Sequence, residues 1–99
     1  MKKNLVKNIN ILLNLEEPFL LEQALIDFCK NLDKEDVSDT LIYIYNDPRG
    51  SFEIILFILE QVISYKPKNL SIFLEKILKE ITNEEDRNEI RMYIKKVNS

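Results

Sequence analysis

The stretch that decides the fold is residues 52–65, FEIILFILEQVISY, which contain the most apolar part of the chain. Through its first two turns, apolar side chains occupy nearly every side of a helix, and only Glu53, Glu60 and Gln61 interrupt residues 52–63. Ser51 directly precedes the stretch and suits the N-cap of such a helix. A helix of this kind needs neighbours on several sides, so residues 52–65 predict a central helix with Phe57 enclosed by other helices.

The chain before this helix contains its clearest break and its most ambiguous segment. Residues 47–51, DPRGS, combine proline with glycine and predict a turn. In residues 34–46 the apolar positions fit a helix, whereas residues 41–45, LIYIY, also have the composition of a strand. We predict a helix here, because an isolated strand would have no partner strand.

Four further segments show the spacing of an amphipathic helix. Pro18 suits the first turn of the second segment, and Asn83 suits the N-cap of the last one, where three acids follow. Each stripe forms one face that another helix must cover. The apolar positions are Leu5, Ile9 and Leu12; Leu21, Ala24, Leu25, Phe28, Cys29 and Leu32; Leu70, Phe73, Leu74, Ile77, Leu78 and Ile81; and Ile90, Tyr93, Ile94 and Val97.

These elements predict an all-α fold of five or six amphipathic helices, arranged in antiparallel hairpins within a single helical domain of residues 1–99. Short connections favour antiparallel neighbours. Hairpins at residues 36–65 and 69–97 have similar lengths, which suits either a bundle or a HEAT-like stack. Gly50 is the only glycine, and one glycine cannot supply the tight turns of a compact all-β domain.

The composition leaves little catalytic or metal-binding chemistry. The chain has no histidine, the commonest general base and a common metal ligand. Cys29, the single cysteine, lies on an apolar stripe and is expected to be buried and unreactive. The acids near Asp36 and Asp39 are better explained as solvated acids at a helix start than as a catalytic carboxylate pair. We therefore expect no enzyme activity, no metal site and no cofactor.

The amino-terminal residues do not resemble a secretory signal. Asparagines interrupt the apolar run that follows Lys2 and Lys3, and no small-residue cleavage site comes after it. The apolar part of residues 52–63 is shorter than the roughly 18 residues of a membrane helix. One cysteine cannot form an internal disulfide, which is typical of a reducing compartment. We expect a cytoplasmic protein that does not enter a membrane.

Charge is distributed unevenly along the chain, whose formal net charge is −3. Residues 15–65 carry eleven acidic residues against three basic ones, whereas both ends are mildly basic. Arg87, Arg91, Lys95 and Lys96 would form a basic patch for nucleic acid if they met the amino-terminal lysines. The acidic character of the whole chain argues against a nucleic-acid partner, because neutralisation of phosphates dominates such affinity.

The acidic block contains the candidate binding residues. Between positions 33 and 49, acids and tyrosines lie along one segment, and tyrosines beside charges are frequent in protein interfaces. An equally good explanation places Tyr45 in the core and leaves the acids solvated. The pattern favours a partner protein with a basic surface. The candidate partner-binding residues are Asp33, Glu35, Asp36, Asp39, Tyr43 and Asp47.

A family resemblance rests on the same region. Residues 41–47, LIYIYND, then a break, then residues 52–60, FEIILFILE, resemble a stretch in the all-helical immunity proteins of bacterial polymorphic and contact-dependent toxin systems. In those proteins an acidic turn precedes a Glu-led hydrophobic helix. Residues 73–79, FLEKILK, look like the closing helix of that family.

The resemblance implies a cytoplasmic protein that neutralises a cognate toxin domain, often a nuclease, by covering its active site. An acidic block is what the cationic cleft of a nuclease would attract. Two alternatives stay open from the sequence. One is a helical adaptor or regulator that binds proteins in another assembly, and the other is a small regulator that binds nucleic acid.

Overall fold

The computed structural model describes all 99 residues and consists of six α-helices and two 3₁₀ turns, with no strand. The predicted all-α fold is confirmed. No helix combines the length and the apolar character that crossing a membrane would require. The helices are α1 (Lys3–Leu13), α2 (Pro18–Lys30), α3 (Val37–Asn46), α4 (Phe52–Val62), α5 (Leu70–Glu80) and α6 (Glu84–Val97), and the 3₁₀ turns are Lys34–Asp36 and Ile63–Tyr65.

Three helices begin where the sequence predicts. Pro18 is the first residue of α2. The Oγ of Ser51 accepts a hydrogen bond from the backbone N–H of Ile54 at 3.2 Å, and the Oδ1 of Asn83 accepts one from the N–H of Asp86 at 3.0 Å. These bonds satisfy first-turn N–H groups that have no partner inside their own helix. Local sequence therefore sets the starts of α2, α4 and α6.

The segment with two possible structures is helical, as predicted. Val37, Leu41 and Ile44 are buried at the spacing of one helix face. The hydroxyl of Thr40 donates to the carbonyl oxygen of Asp36 at 2.7 Å and is fully enclosed. Packing of this face against the rest of the molecule decides the structure here, and the β-branched and aromatic composition of residues 41–45 does not.

The helices form three successive hairpins, α1–α2, α3–α4 and α5–α6. The first members of the hairpins make one layer, in which α3 packs against both α1 and α5. In the second layer α2 packs against α4, while α6 packs against α5 and the turn Ile63–Tyr65. Apart from the looser α4–α6 side, this is the order of neighbours in a stack of helical hairpins.

One continuous core receives side chains from all six helices. On α4, Ile55, Ile58, Leu59 and Val62 are at most 1% exposed. Phe57 is only half-buried, so the expectation that neighbouring helices enclose it is wrong. The reason is the position of α4, which α2 and α3 cover while the side that carries Phe57 faces an open groove.

An arginine of α6 closes the corner between α5 and α6. The Nη1 of Arg87 donates to the carbonyl oxygen of Ile81 at 3.0 Å and also to that of Leu78. Both oxygens lie at the carboxyl end of α5, where no further helical N–H is in place to bond them. A positive charge is also favourable at this end of a helix. Arg87 therefore stabilises the connection between α5 and α6.

Candidate partner-binding site

An exposed stripe on α3 forms the centre of the candidate site. Asp39, Ile42, Tyr43 and Asn46 follow the spacing i, i+3, i+4, i+7, so they lie on one side of the helix. They line an open depression of about 490 Å³ on the surface. Asp47, directly after α3, lies in the same depression. Three of the six predicted binding residues, Asp39, Tyr43 and Asp47, are thus brought together.

The acids near the start of α3 differ in how far their charges are neutralised. The ammonium of Lys2 lies 3.0 Å from Oδ2 of Asp36 and 3.5 Å from Oδ2 of Asp33. The hydrogen bond to Asp36 and the attraction of its charge raise the pKa of Lys2. Glu35 and Asp39 are exposed and form none of the five salt bridges of the chain. One lysine offsets only one of the two charges of Asp33 and Asp36, so free negative charge remains on this pair as well as on Glu35 and Asp39.

Asp47 is held by the arginine two residues later. Its Oδ1 accepts hydrogen bonds from the backbone N–H of Arg49 at 2.8 Å and from Nε at 3.0 Å, while its Oδ2 accepts one from Nη2 at 2.9 Å. These bonds favour the ionised carboxylate and lower the pKa of Asp47 from 3.8 to about 2. Asp47 is thus first a structural residue of the α3–α4 connection, and its charge is largely balanced.

The same arginine ties the connection to α1. The Nη1 of Arg49 donates to Oδ1 of Asn14 at 2.9 Å, and its Nη2 donates to Oδ1 of Asn10 at 2.5 Å. The Nδ2 of Asn10 in turn donates to the hydroxyl oxygen of Tyr43 at 3.2 Å. A polar network therefore joins α1, α3 and the α3–α4 connection, and it fixes the ring of Tyr43 at the edge of the depression.

Tyr45 lies on a different side of α3 from Tyr43. Its ring meets that of Phe73 edge-on, with 6.1 Å between the centroids, and its hydroxyl donates to Oε2 of Glu80 at 2.9 Å. Partial burial and the neighbouring carboxylate raise the pKa of Tyr45. The alternative that assigned Tyr45 to the core is therefore nearly right, because the half-buried ring packs on α5 and only the hydroxyl reaches the surface.

Four residues that line the depression, Met1, Ile42, Asn46 and Pro48, were not among the predicted binding residues. Ile42, whose surface is 38% exposed, and Asn46 both line the depression. Their signal was present, since they lie three residues after Asp39 and Tyr43. It becomes visible only when residues 41–45 are known to be a helix, because a strand would place Ile42 on the opposite face from Tyr43.

The basic residues do not gather into one patch. Lys2 pairs with Asp36, Arg87 bonds the end of α5, and the Nη1 of Arg91 donates to Oε1 of Glu84 at 3.0 Å. The helix that follows Lys2 packs against α2 and α3, whereas α6 packs against α5. A nucleic-acid site would need the basic residues of the two chain ends to meet with their charges free. Three of these residues instead bond partners within the chain.

Cys29 is enclosed in the core, as expected, with 4% of its surface exposed. Burial disfavours the thiolate and raises the pKa of the thiol to about 11. The thiolate is the nucleophilic form, so burial keeps this cysteine unreactive near neutral pH. No three carboxylate or thiol groups of the chain converge as metal ligands would.

Comparisons with known proteins found no relative of this chain. No model of a protein family matches the chain, and neither a curated protein nor a solved structure matches it.

Proposed function

We propose that this protein is an immunity protein, which binds a cognate bacterial toxin domain in the cytoplasm and covers its active site. The observation that carries the proposal is the stripe on α3. It offers an apolar residue, Ile42, and an aromatic ring, Tyr43, beside the unpaired charge of Asp39. Apolar and aromatic contact area with a charged rim is the usual anatomy of a protein interface.

Electrostatics indicates the kind of surface that the stripe would meet. The carboxylates of Glu35 and Asp39 form no salt bridge within the chain, so they attract a cationic surface and speed its approach. The active-site clefts of nucleases, which hold polyanionic substrates, are basic for the same reason. A toxin nuclease domain is therefore the partner class that best fits the charge.

Rigidity of the stripe also supports an inhibitory role. Tyr43 is bonded to Asn10, and the Asp47–Arg49 pair is bonded to α1, so these side chains are ordered before a partner arrives. A preorganised surface loses little conformational entropy on binding. Tight binding is what a protein needs if it must keep a toxin inactive.

The experiment first determines whether a toxin domain is encoded beside the gene of this protein, and then expresses that domain in a laboratory bacterium, with and without this protein. We expect growth only when both are present. A direct complex should form from the two purified proteins, with an association rate that falls as salt rises, because screening weakens the attraction of exposed charges. Equal killing in both cultures would contradict the proposal.

Charge-reversal variants locate the interface. Glu35→Lys with Asp39→Lys should slow association about tenfold or more at low salt and leave the helical circular dichroism unchanged. Asp36 is left intact in this test because it is paired with Lys2. The matched control is Asp27→Lys with Glu75→Lys, which makes the same change of charge at exposed sites away from the stripe. Equal effects of the two pairs would mean that α3 is not the interface.

A third variant separates the alternatives. Lys95→Glu with Lys96→Glu should leave an interface on α3 nearly unaffected, whereas it would abolish most binding to nucleic acid, where each lost phosphate contact lowers affinity. Loss of protein binding in this variant would favour a helical adaptor that uses α6. Binding of nucleic acid that this variant abolishes would favour the regulator.

A further inference from the structure

A second surface lies in the other layer of helices, along the uncovered side of α4. One depression of about 230 Å³ lies between α2 and α4, and another of about 340 Å³ lies between α4 and α6. They share Glu53 and Phe57, so they are adjacent on the surface of α4, and the two together are called the α4 groove below. Its apolar lining includes Leu21, Ile54 and Leu56, each half-buried like Phe57.

The rim of this α4 groove is acidic. Glu22 and Glu53 border its α2 side, and Glu60 and Glu89 border its α6 side. All four are exposed, and none of them belongs to a salt bridge of the chain. Lys96 lies near the α6 side, where its ammonium is 5.5 Å from the centre of the Tyr93 ring. The charge around the groove is therefore strongly negative.

We propose that the α4 groove binds a basic amphipathic helix of a partner protein. Apolar side chains of that helix would contact Phe57 and Leu56, while its lysines or arginines would meet the four glutamates of the rim. This surface lies in the opposite layer from the α3 stripe and shares no residue with it. The inference goes beyond the proposed function and does not depend on it.

The shape of the groove favours a helix as the occupant. Each of its two depressions lies between a pair of helices, α2 with α4 and α4 with α6, and grooves between helices are where other proteins bind amphipathic helices. The helix common to both depressions, α4, has eleven residues and is about 16 Å long at 1.5 Å per residue. A partner helix of about three turns would cover it. A strand would find no free sheet edge here, since the chain has no strand.

Charge also selects the partner against a second copy of this chain. Two α4 grooves facing each other would bring eight carboxylates together with few cations between them, which disfavours a symmetric dimer. A basic helix would neutralise the rim and remove the half-buried apolar surface of Leu56 and Phe57 from water. Both terms favour the complex.

The test uses a synthetic peptide of fourteen residues, made of leucine and lysine with leucines at helical spacing, and the isotope-labelled full chain. Amide chemical shifts should change around Leu21, Ile54 and Phe57. A peptide with alanine in place of leucine keeps its charge, and one with glutamate in place of lysine keeps its apolar face. Both should bind at least about tenfold more weakly, because the groove uses apolar and charged contacts together.

Protein variants complete the test. Glu53→Lys with Glu60→Lys should weaken binding of the leucine–lysine peptide about tenfold or more, whereas Asp27→Lys with Glu75→Lys should change it no more than about threefold through the general field. Both pairs alter exposed residues, so the fold should persist. Shift changes confined to α3, or equal effects of the two variant pairs, would overturn the inference. So would a dimer in sedimentation that Glu53→Lys with Glu60→Lys abolishes, because the groove would then be filled by a second copy.

Discussion

Gly50 lies against the carbonyl group of Ile44, so closely that a Cβ built on Gly50 would stand 2.0 Å from that oxygen and 3.0 Å from the carbonyl carbon. The φ angle of Gly50 is not positive. Close approach of two backbone segments, and not conformational freedom, is therefore what requires glycine here. The contact closes the turn that leads from α3 into α4.

The first prediction follows from this contact. Gly50→Ala should lower the free energy of unfolding by about 1–3 kcal/mol, because the clash involves backbone atoms that can move only with α3. Urea denaturation at pH 7 measures the loss. Pro48→Ala, two residues earlier at an exposed position, is the control and should change stability little. Wild-type stability in the glycine variant would show that the turn relaxes freely.

The second prediction compares neighbours on α4. Ile58 is completely buried, so Ile58→Ala should lower the free energy of unfolding by about 2–5 kcal/mol through lost burial and a cavity. Phe57→Ala should lose less than half as much, although its ring is larger, because Phe57 already borders the α4 groove. Paired urea denaturation curves measure both. A larger loss for Phe57 would mean that the groove is closed in solution.

The third prediction concerns the α5–α6 corner. Arg87→Ala removes a charged donor from the carbonyls of Leu78 and Ile81, and it should lower the free energy of unfolding by about 1–3 kcal/mol. Arg91→Ala is the control, since its more exposed partners are Glu84 and Asn88, and its loss should stay within about 0.5 kcal/mol. Similar losses of unfolding free energy for the two variants would contradict the role of Arg87 at the α5–α6 corner.

The fourth prediction is a pH dependence. The folded pKa of Asp47, about 2, lies below its ordinary value of 3.8, so its pairing stabilises the folded state above about pH 4. That contribution is lost as the pH falls from 4 to 2, because protonation of the carboxylate removes its charge. Wild-type stability should therefore fall more steeply over this range than that of Asp47→Asn. Parallel curves from urea denaturation at several pH values would contradict the assignment.

Local signals account for what could be predicted of the fold. Ser51 and Asn83 indicate helix starts, because the side chain of an N-cap residue accepts a hydrogen bond from a backbone N–H two or three residues later. The 3.6-residue stripes identify the helices because each core face repeats within one element. Even residues 41–45, which have the composition of a strand, are correctly predicted to be helical, because the chain offers no partner strand.

Long-range pairing explains what could not be predicted of the candidate site. Asp36 and Asp47 looked like free acids in the sequence, yet their charges are met by Lys2 and Arg49, and Arg49 is also held by Asn10 from a distant helix. The local pattern does not mark Lys2 or Asn10 as partners, whereas Arg49 is only two residues from Asp47 and is a local partner that the sequence offers. The half-burial of Phe57 was missed for the same reason, because it depends on where α6 lies relative to α4.

The succession of hairpins also has a consequence for folding speed. Each helix packs mainly against its partner in the hairpin and against helices of the next hairpin, so contacts join residues that are near in sequence. Chains with such low contact order close short loops first and fold within microseconds to milliseconds. We therefore expect this chain to fold fast and to spend little time with the apolar face of α4 exposed, which limits aggregation before any partner is met.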